Sequence, residues 1–324
     1  MVSNDMSKLL ALPSSLRCML LTQNSFPFAS RVATVRVLTS KNTLRTIRGY
    51  ATEQARPTSN ARTDSSVNHT EVSHFNALAS AWWDPHGSSR LLHLMNPLRH
   101  RFIQRCGETN PIASTNKRRY LDIGCGGGIF AESAARLHDT SSVTGVDPTP
   151  EVIAVAGKHQ RHDPLLLEPG RLEYKNIPIE ELALPSNPEE GYDVVSVFEV
   201  VEHIQNPAPF LQTCLKHLKP GGWLVGSTIA RTNTSWLTTK LIAEDLLRIV
   251  PRGTHEWSQY IQPHELQMWA LKQQDVEVGR GGWQVMGVVY VPGFGWKEVE
   301  GSETWGNYFF GVQKRMTYEA EATE

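Results

Sequence analysis

Nine residues limit the fold of this chain more than any others: Tyr120-Leu121-Asp122-Ile123-Gly124-Cys125-Gly126-Gly127-Gly128. A short apolar run breaks into a glycine turn, and Ile129 to Leu137 follows with helical spacing. Glycine lets backbone approach a ligand closely, because no Cβ intervenes and positive φ costs little. A second run, Val143-Thr144-Gly145-Val146-Asp147, reads as another short strand and ends in an acid. In a nucleotide-binding α/β sheet, an acid at that point can accept two hydrogen bonds from ribose hydroxyls.

Two kinds of cofactor suit such a layout. A dinucleotide fingerprint, GxGxxG, brings backbone amides and a helix N-terminus up to a pyrophosphate. Here Gly124, Gly126 and Gly128 alternate, and Asp122 stands two residues before the first of them. An acid there repels a pyrophosphate and suits a cation, which counts against a nicotinamide oxidoreductase. S-adenosylmethionine (SAM) has no phosphate and carries a sulfonium and an amino group. A glycine loop alone also occurs in tight strand–helix turns; the pairing of Asp122 with Asp147 is what points to SAM. DxGxGxG with that later acid resembles the class I SAM-dependent methyltransferases.

The surrounding pattern alternates. Strands are predicted at 119–123, 143–147, 171–175, 192–198 and 222–228, with helices at 129–137, 150–160, 207–217 and 263–273. That alternation argues for a parallel sheet covered on both faces. Beyond 275, Gln284 to Val291 and Asn307 to Val312 are β-rich and predict a closing antiparallel hairpin. Before the sheet, Glu71 to Trp83 reads as an amphipathic helix with Phe75, Leu78, Ala79 and Trp82 on one face, broken by Asp84-Pro85-His86-Gly87. A further helix is predicted over Asn96 to Arg105, and a loop over Glu108 to Lys117, with Asn116 to Arg119 as a peripheral basic insertion. Residues 230–262 exceed a minimal sheet. Within them Ser235 to Val250 can form an imperfectly amphipathic helix, which either packs on its own domain or meets a membrane or a hydrophobic substrate tail.

Charge is balanced overall but not locally. The 32 basic and 33 acidic residues exclude a general nucleic-acid binder. The first 50 residues hold Lys8, Arg17, Arg31, Arg36, Lys41, Arg45 and Arg48 against Asp5 alone, and are rich in Ser and Thr. That is transit-peptide composition, and Arg48-Gly49-Tyr50 before Ala51 resembles a matrix-protease cleavage pattern. Residues 1–50 are therefore predicted to be a mitochondrial leader, 51–70 a polar linker, 71–315 the catalytic domain and 316–324 a flexible tail. A merely disordered basic tail is the other reading of the leader. No apolar run approaches the ~18 residues of a membrane span. Cys18, Cys106, Cys125 and Cys214 follow no metal-ligand spacing and suit a reducing compartment.

The chemistry is expected directly after the fourth strand, at Phe198-Glu199-Val200-Val201-Glu202-His203. In open α/β sheets, ligands bind beyond the carboxyl ends of the strands. If this segment is helical, Glu199, Glu202 and His203 share one face. Two carboxylates and an imidazole can hold a divalent cation, with magnesium preferring the oxygens and zinc the histidine. A metal would suit methylation of a catechol, whose two oxygens chelate it and whose phenolate it favours. His203 alone as general base, or acids that merely favour a helix dipole, are the other two readings.

These residues lie inside a longer resemblance. Phe75 to Ala79, Trp82-Trp83-Asp84-Pro85, Leu92-His93, Met95-Asn96-Pro97-Leu98-Arg99, LDIGCGGGIFAES, VTGVDP, YDVV, EVVEH, LKPGG, RIVPRGTHEW and IQPHEL are similar to the ubiquinone-biosynthesis O-methyltransferases, from about residue 67 to 312. The resemblance implies a Rossmann-like class I fold with a seven-stranded, mostly parallel sheet and a C-terminal antiparallel hairpin. It implies O-methylation of polyprenylated catechols, a dihydroxy-polyprenylbenzoate and a demethylubiquinol. It implies peripheral attachment to the matrix side of the mitochondrial inner membrane, within a multi-enzyme complex. By motif, Arg99, Asp122, Gly124, Gly126, Asp147 and Phe198 should contact SAM. Glu199, Glu202 and His203 match the positions that bind a divalent metal, Mg²⁺ by preference, and so carry the catalysis. Ala230 departs from the pattern, where asparagine is expected.

Overall fold

The computed structural model describes residues 66–87, 89–112, 117–232 and 260–316, all within one unit, Ser59–Glu324. The expected leader, most of the linker and of the 230–262 segment, and the tail beyond Met316 lie outside the described residues.

Five strands alternate with helices as the sequence pattern predicts. β1 (Arg118–Ile123) leads through the glycine loop into α3 (Ile129–Ala135); two earlier helices, α1 (His69–Leu78) and α2 (Arg90–Thr109), precede it. β2 (Thr140–Val146) is followed by α4 (Pro150–Gln160), then β3 (Leu172–Lys175), β4 (Tyr192–Phe198), α5 (Pro207–Lys216) and β5 (Leu218–Ile229). Pro stands at the start of α4 and of α5, where its missing N–H costs nothing. After α6 (Pro263–Leu271) come β6 (Val276–Glu277), β7 (Trp283–Val291), β8 (Gly295–Glu298) and β9 (Asn307–Lys314).

Among the described residues the sheet has nine strands in the order β3-β2-β1-β4-β5-β9-β7-β8, with β6 paired to β9. The first five run parallel, while β9 is antiparallel to both β5 and β7. Seven strands were expected; β3-β2-β1-β4-β5-β9-β7 are those seven. The two-residue β6 and the four-residue β8 add to them; β6 is too short for any period, and β8, Gly295-Trp296-Lys297-Glu298, holds a single apolar side chain, whereas β3 alternates Leu-Glu-Tyr-Lys. The order reverses between β1 and β4, which opens a crevice at their carboxyl ends.

Period-two alternation divides the core between the two faces of the sheet. Val194, Phe198 and Phe309 join the cluster with Phe102 and Phe130, under α2 and α3. Val195, Val197, Tyr308, Phe310 and Val312 join Phe210, Leu215 and Leu266, under α5 and α6. Two expectations change. α2 runs from Arg90 to Thr109 rather than Asn96 to Arg105, because Pro97 in its interior does not stop it. Arg118 and Arg119 open β1 instead of lying in an inserted loop, Arg119 N–H donating to buried Asp193 at 2.7 Å. Cys106, Cys125 and Cys214 are buried free thiols. Among the described residues no helix is long and apolar enough to cross a membrane.

Candidate active site

The crevice beyond β1, β2 and β4 gathers the residues singled out for cofactor binding. Gly124 and Gly126 both have left-handed backbone, φ 66° and 52°. A Cβ on Gly124 would strike Val200 at 2.5 Å, and one on Gly126 would overlap the Trp82 ring. Asp147, just past β2, clasps this loop: its Oδ2 accepts from Gly126 N–H at 3.0 Å and its Oδ1 from Thr149 N–H at 2.8 Å. Burial raises the Asp147 carboxyl above the usual range, while the Thr149 and Gly126 N–H groups pull it back. Carboxylate oxygens have further lone pairs, so both remain able to accept from a ribose.

Asp122 is 3% exposed. Its Oδ1 accepts from Ser196 Oγ at 2.7 Å. Burial pushes it up to about 7, against the Ser196 hydrogen bond and the nearby Arg99. Arg99, on α2, is 4% exposed and lies 5.0 Å from the centre of the Phe198 ring. Burial lowers its proton affinity, offset by Glu199 and Asp122, and its Nε has no hydrogen-bond partner among the described residues. Phe198 closes β4 and meets Phe130 edge-on at 4.8 Å. A buried cation, a buried acid and an apolar ring thus stand together beside the loop.

The Glu199–His203 segment differs from the expected helical face. Glu199 has φ 57°, its N–H donates to Ser227 O at 3.0 Å, and only Val201–His203 turns, as 3-10 helix. The N–H of Glu199 still belongs to the β4–β5 ladder, and its positive φ keeps an α-helix from beginning there; α5 starts at Pro207. The three side chains take separate partners. Glu199 Oε1 accepts from Ser227 Oγ at 2.6 Å and Oε2 from Asn307 Nδ2 at 3.4 Å. Glu202 Oε2 accepts from Thr228 Oγ1 at 2.8 Å, while its Oε1 is buried without a partner among the described residues. Burial, then the neighbouring Glu199, lifts Glu202 to about 7. His203 Nδ1 lies 2.9 Å from Glu71 Oε2. Burial opposes its charge, but Glu71, Glu202 and Glu199 together raise its proton affinity above the ordinary value. As they stand, no three His, Cys, Asp or Glu among the described residues are disposed to hold a metal ion.

Several partners escaped the sequence reading. Ser196, Ser227, Thr228 and Asn307 anchor the acids from β4, β5 and β9, and single polar residues on strands carry no motif. Glu71 sits in the predicted first helix, but nothing in its spacing reveals His203 as its partner. Trp82 and Trp83 flank the glycine loop: Trp82 is 8% exposed, and Trp83 Nε1 donates to Gly127 O at 2.8 Å. Ala230 is fully buried and its N–H donates to Gly306 O at 2.9 Å.

Comparison with known proteins agrees with this architecture. The methyltransferase-domain family matches residues 88–278. A mitochondrial ubiquinone biosynthesis O-methyltransferase of Schizosaccharomyces pombe is 44% identical over 257 residues, covering 78% of this chain and 88% of that protein. The Candida albicans protein of the same description is 37% identical over 294 residues, covering 79% and 88%. A bacterial ubiquinone biosynthesis O-methyltransferase, from Alkalilimnicola ehrlichii, is 40% identical over 204 residues, covering 63% and 77%. Among solved structures, the plantazolicin methyltransferase BpumL, in complex with a desmethylPZN analogue and SAH, shares the fold with TM-score 0.51 at 17% identity, over 76% of this chain and 97% of that one.

Proposed function

This chain belongs to the ubiquinone biosynthesis O-methyltransferase family, and on that premise we propose that it moves the methyl group of SAM onto a phenolic oxygen of polyprenylated catechol intermediates. The observation that carries the reading is one crevice: Asp122, Asp147 and Arg99 surround the glycine loop, and Glu199, Glu202 and His203 stand at the next strand end. In this reading Asp147 accepts from the ribose hydroxyls, Asp122 faces the cationic amino end of SAM, Arg99 its carboxylate, and Phe198 forms an apolar wall. Gly124 and Gly126 allow the left-handed turn and the close packing of Val200 and Trp82 that shape the loop the cofactor meets. Closing water out strengthens each of these charges.

The phenolate oxygen attacks the methyl carbon in line; the C–S bond breaks and its electron pair returns to sulfur, leaving S-adenosylhomocysteine. The phenol proton must leave before or during attack. Two readings of that step differ in the role of His203. In the first, Glu199, Glu202 and His203 hold a divalent cation, Mg²⁺ by its preference for oxygen, and its bound form would favour phenolate over phenol. The donor chemistry fits, and the partnerless buried Oε1 of Glu202 supports it; Glu199 would have to exchange its Ser227 and Asn307 hydrogen bonds. In the second, His203 takes the proton itself, which its contact with Glu71 favours.

Methyl transfer from labelled SAM to a prenylated catechol, with and without EDTA, tests both. The cation reading expects loss of turnover with chelator and in Glu199→Ala, with SAM binding kept. The base reading expects chelator-insensitive turnover, near-normal Glu199→Ala and inactive His203→Ala. No turnover on any prenylated catechol, under either condition, would sink the function itself.

The composition of residues 1–50 and the mitochondrial relatives support a mitochondrial location. Peripheral attachment to the matrix face of the inner membrane, with other proteins of the same biosynthesis as partners, extends that proposal.

A further inference from the structure

Two residues one turn apart on α1 meet the same imidazole. Glu71 Oε2 lies 2.9 Å from His203 Nδ1. The Phe75 ring stands edge-on to the His203 ring, centroids 5.2 Å apart and planes at 85°. Residues i and i+4 share a helix face, so one side of α1 presents both groups. The carboxylate sets the direction of Nδ1, and the aromatic ring restricts the plane of the imidazole. Glu71 and His203 are largely withdrawn from solvent, with side chains 24% and 14% exposed.

The chain just beyond α1 is itself tied down. Trp83 Nε1 donates to Gly127 O at 2.8 Å, and the Trp83 ring stacks on His159 at 3.4 Å and 3°. Trp82 is buried against Gly126 and Gly127. The segment carrying Glu71 is therefore fastened to the glycine loop and reaches across to the end of β4.

We infer that Glu71 is a positioning residue for methyl transfer: it accepts the Nδ1 proton of His203 and holds the tautomer in which Nε2 carries a free lone pair. The inference rests on the reading that His203 takes part in the reaction, and it serves either form of that reading. An imidazole can take a phenol proton or bind a cation only through an unprotonated nitrogen, and a carboxylate on the far nitrogen is the usual device that fixes which one. Neither the glycine loop nor the EVVEH run contains this residue; it lies more than 120 residues before the EVVEH run.

The test uses the full chain, ¹⁵N-labelled, with long-range ¹H–¹⁵N NMR of the imidazoles at alkaline pH; the His203 signals are those missing from His203→Ala. The wild type should show a protonated Nδ1 and a bare Nε2. Glu71→Ala should lose that preference and lower kcat about 10–100-fold, the usual cost of deleting such an outer partner, while calorimetry finds SAM affinity unchanged. Glu71→Gln, whose amide oxygen still accepts from Nδ1, should restore both the tautomer and most of the turnover. A wild-type tautomer or wild-type kcat in Glu71→Ala overturns the inference, as does a Glu71→Gln variant that keeps the tautomer yet stays as slow as Glu71→Ala. Full activity in His203→Ala would instead remove the reading on which the inference stands, and the inference with it.

Discussion

Asp122→Asn should make the ligand-free protein more stable and the cofactor site weaker. Burial lifts this carboxyl from 3.8 to about 7, even after the Ser196 hydrogen bond and the attraction of Arg99 have pulled it back. Because the folded value lies above the unfolded one, the group's contribution to stability is full below the unfolded value and is lost as pH rises through the folded value. The interval corresponds to about 4 kcal/mol at roughly 1.4 kcal/mol per unit. At about pH 8 the wild type holds a buried anion; the asparagine is close in shape, never ionises, and keeps an oxygen for Ser196 Oγ, which lies 2.7 Å from the native carboxylate. The variant should therefore gain up to about 4 kcal/mol over wild type at that pH, with the gap narrowing toward about pH 5. SAM affinity should move the other way, falling by about 1.5–3 kcal/mol as a charge-assisted contact is lost. Denaturant unfolding at both pH values and calorimetric titration with SAM measure the two effects. A variant less stable than wild type at the higher pH, or one binding SAM unchanged, would refute the reasoning.

Two other expectations follow from the same site and from the N-terminal composition. Asp147→Ala should weaken SAM by about 1.5–3 kcal/mol and also lower the melting temperature, because the Gly126 and Thr149 N–H groups lose their acceptor; unchanged affinity in calorimetry removes Asp147 from the site. Protein recovered from its own mitochondria should begin near Ala51 by mass spectrometry and co-sediment with inner membranes; an intact N-terminus recovered from the cytosol contradicts the leader.

The fold was legible wherever an element is long enough to repeat its period. β4 matches its expected bounds, Tyr192–Phe198, and α4 its own, Pro150–Gln160, because alternation and a Pro–acid start mark them. β6 and β8 are invisible for the opposite reason: β6 has two residues and β8 only one apolar side chain, Trp296, whereas the equally short β3 alternates Leu-Glu-Tyr-Lys. The cofactor half of the site was legible because glycines and terminal acids must recur at fixed places around a strand–helix turn. Glu199, Glu202 and His203 were legible as a candidate set of residues but not as geometry. Whether Glu199 turns left-handed depends on Ser227 O, which ends the ladder, and that carbonyl belongs to a strand 28 residues away. Glu71 reaching His203 is a tertiary fact of the same kind.

β9 has a consequence for how the molecule comes into being. It is the last strand among the described residues, yet it lies inside the sheet, with Val225 opposite Gly311 on one side and Met286 opposite Phe309 on the other. It also brings Asn307 to Glu199. Pairing partners so distant in sequence form slowly, since the intervening loop must close before contacts repay it. While β9 is still unmade or undocked, β5 presents a bare, apolar edge of the kind that joins other chains. Completion of the sheet and assembly of the site are thus one late event. Until β9 pairs, that edge stays open, so a truncation before Asn307 should remove catalysis and solubility together.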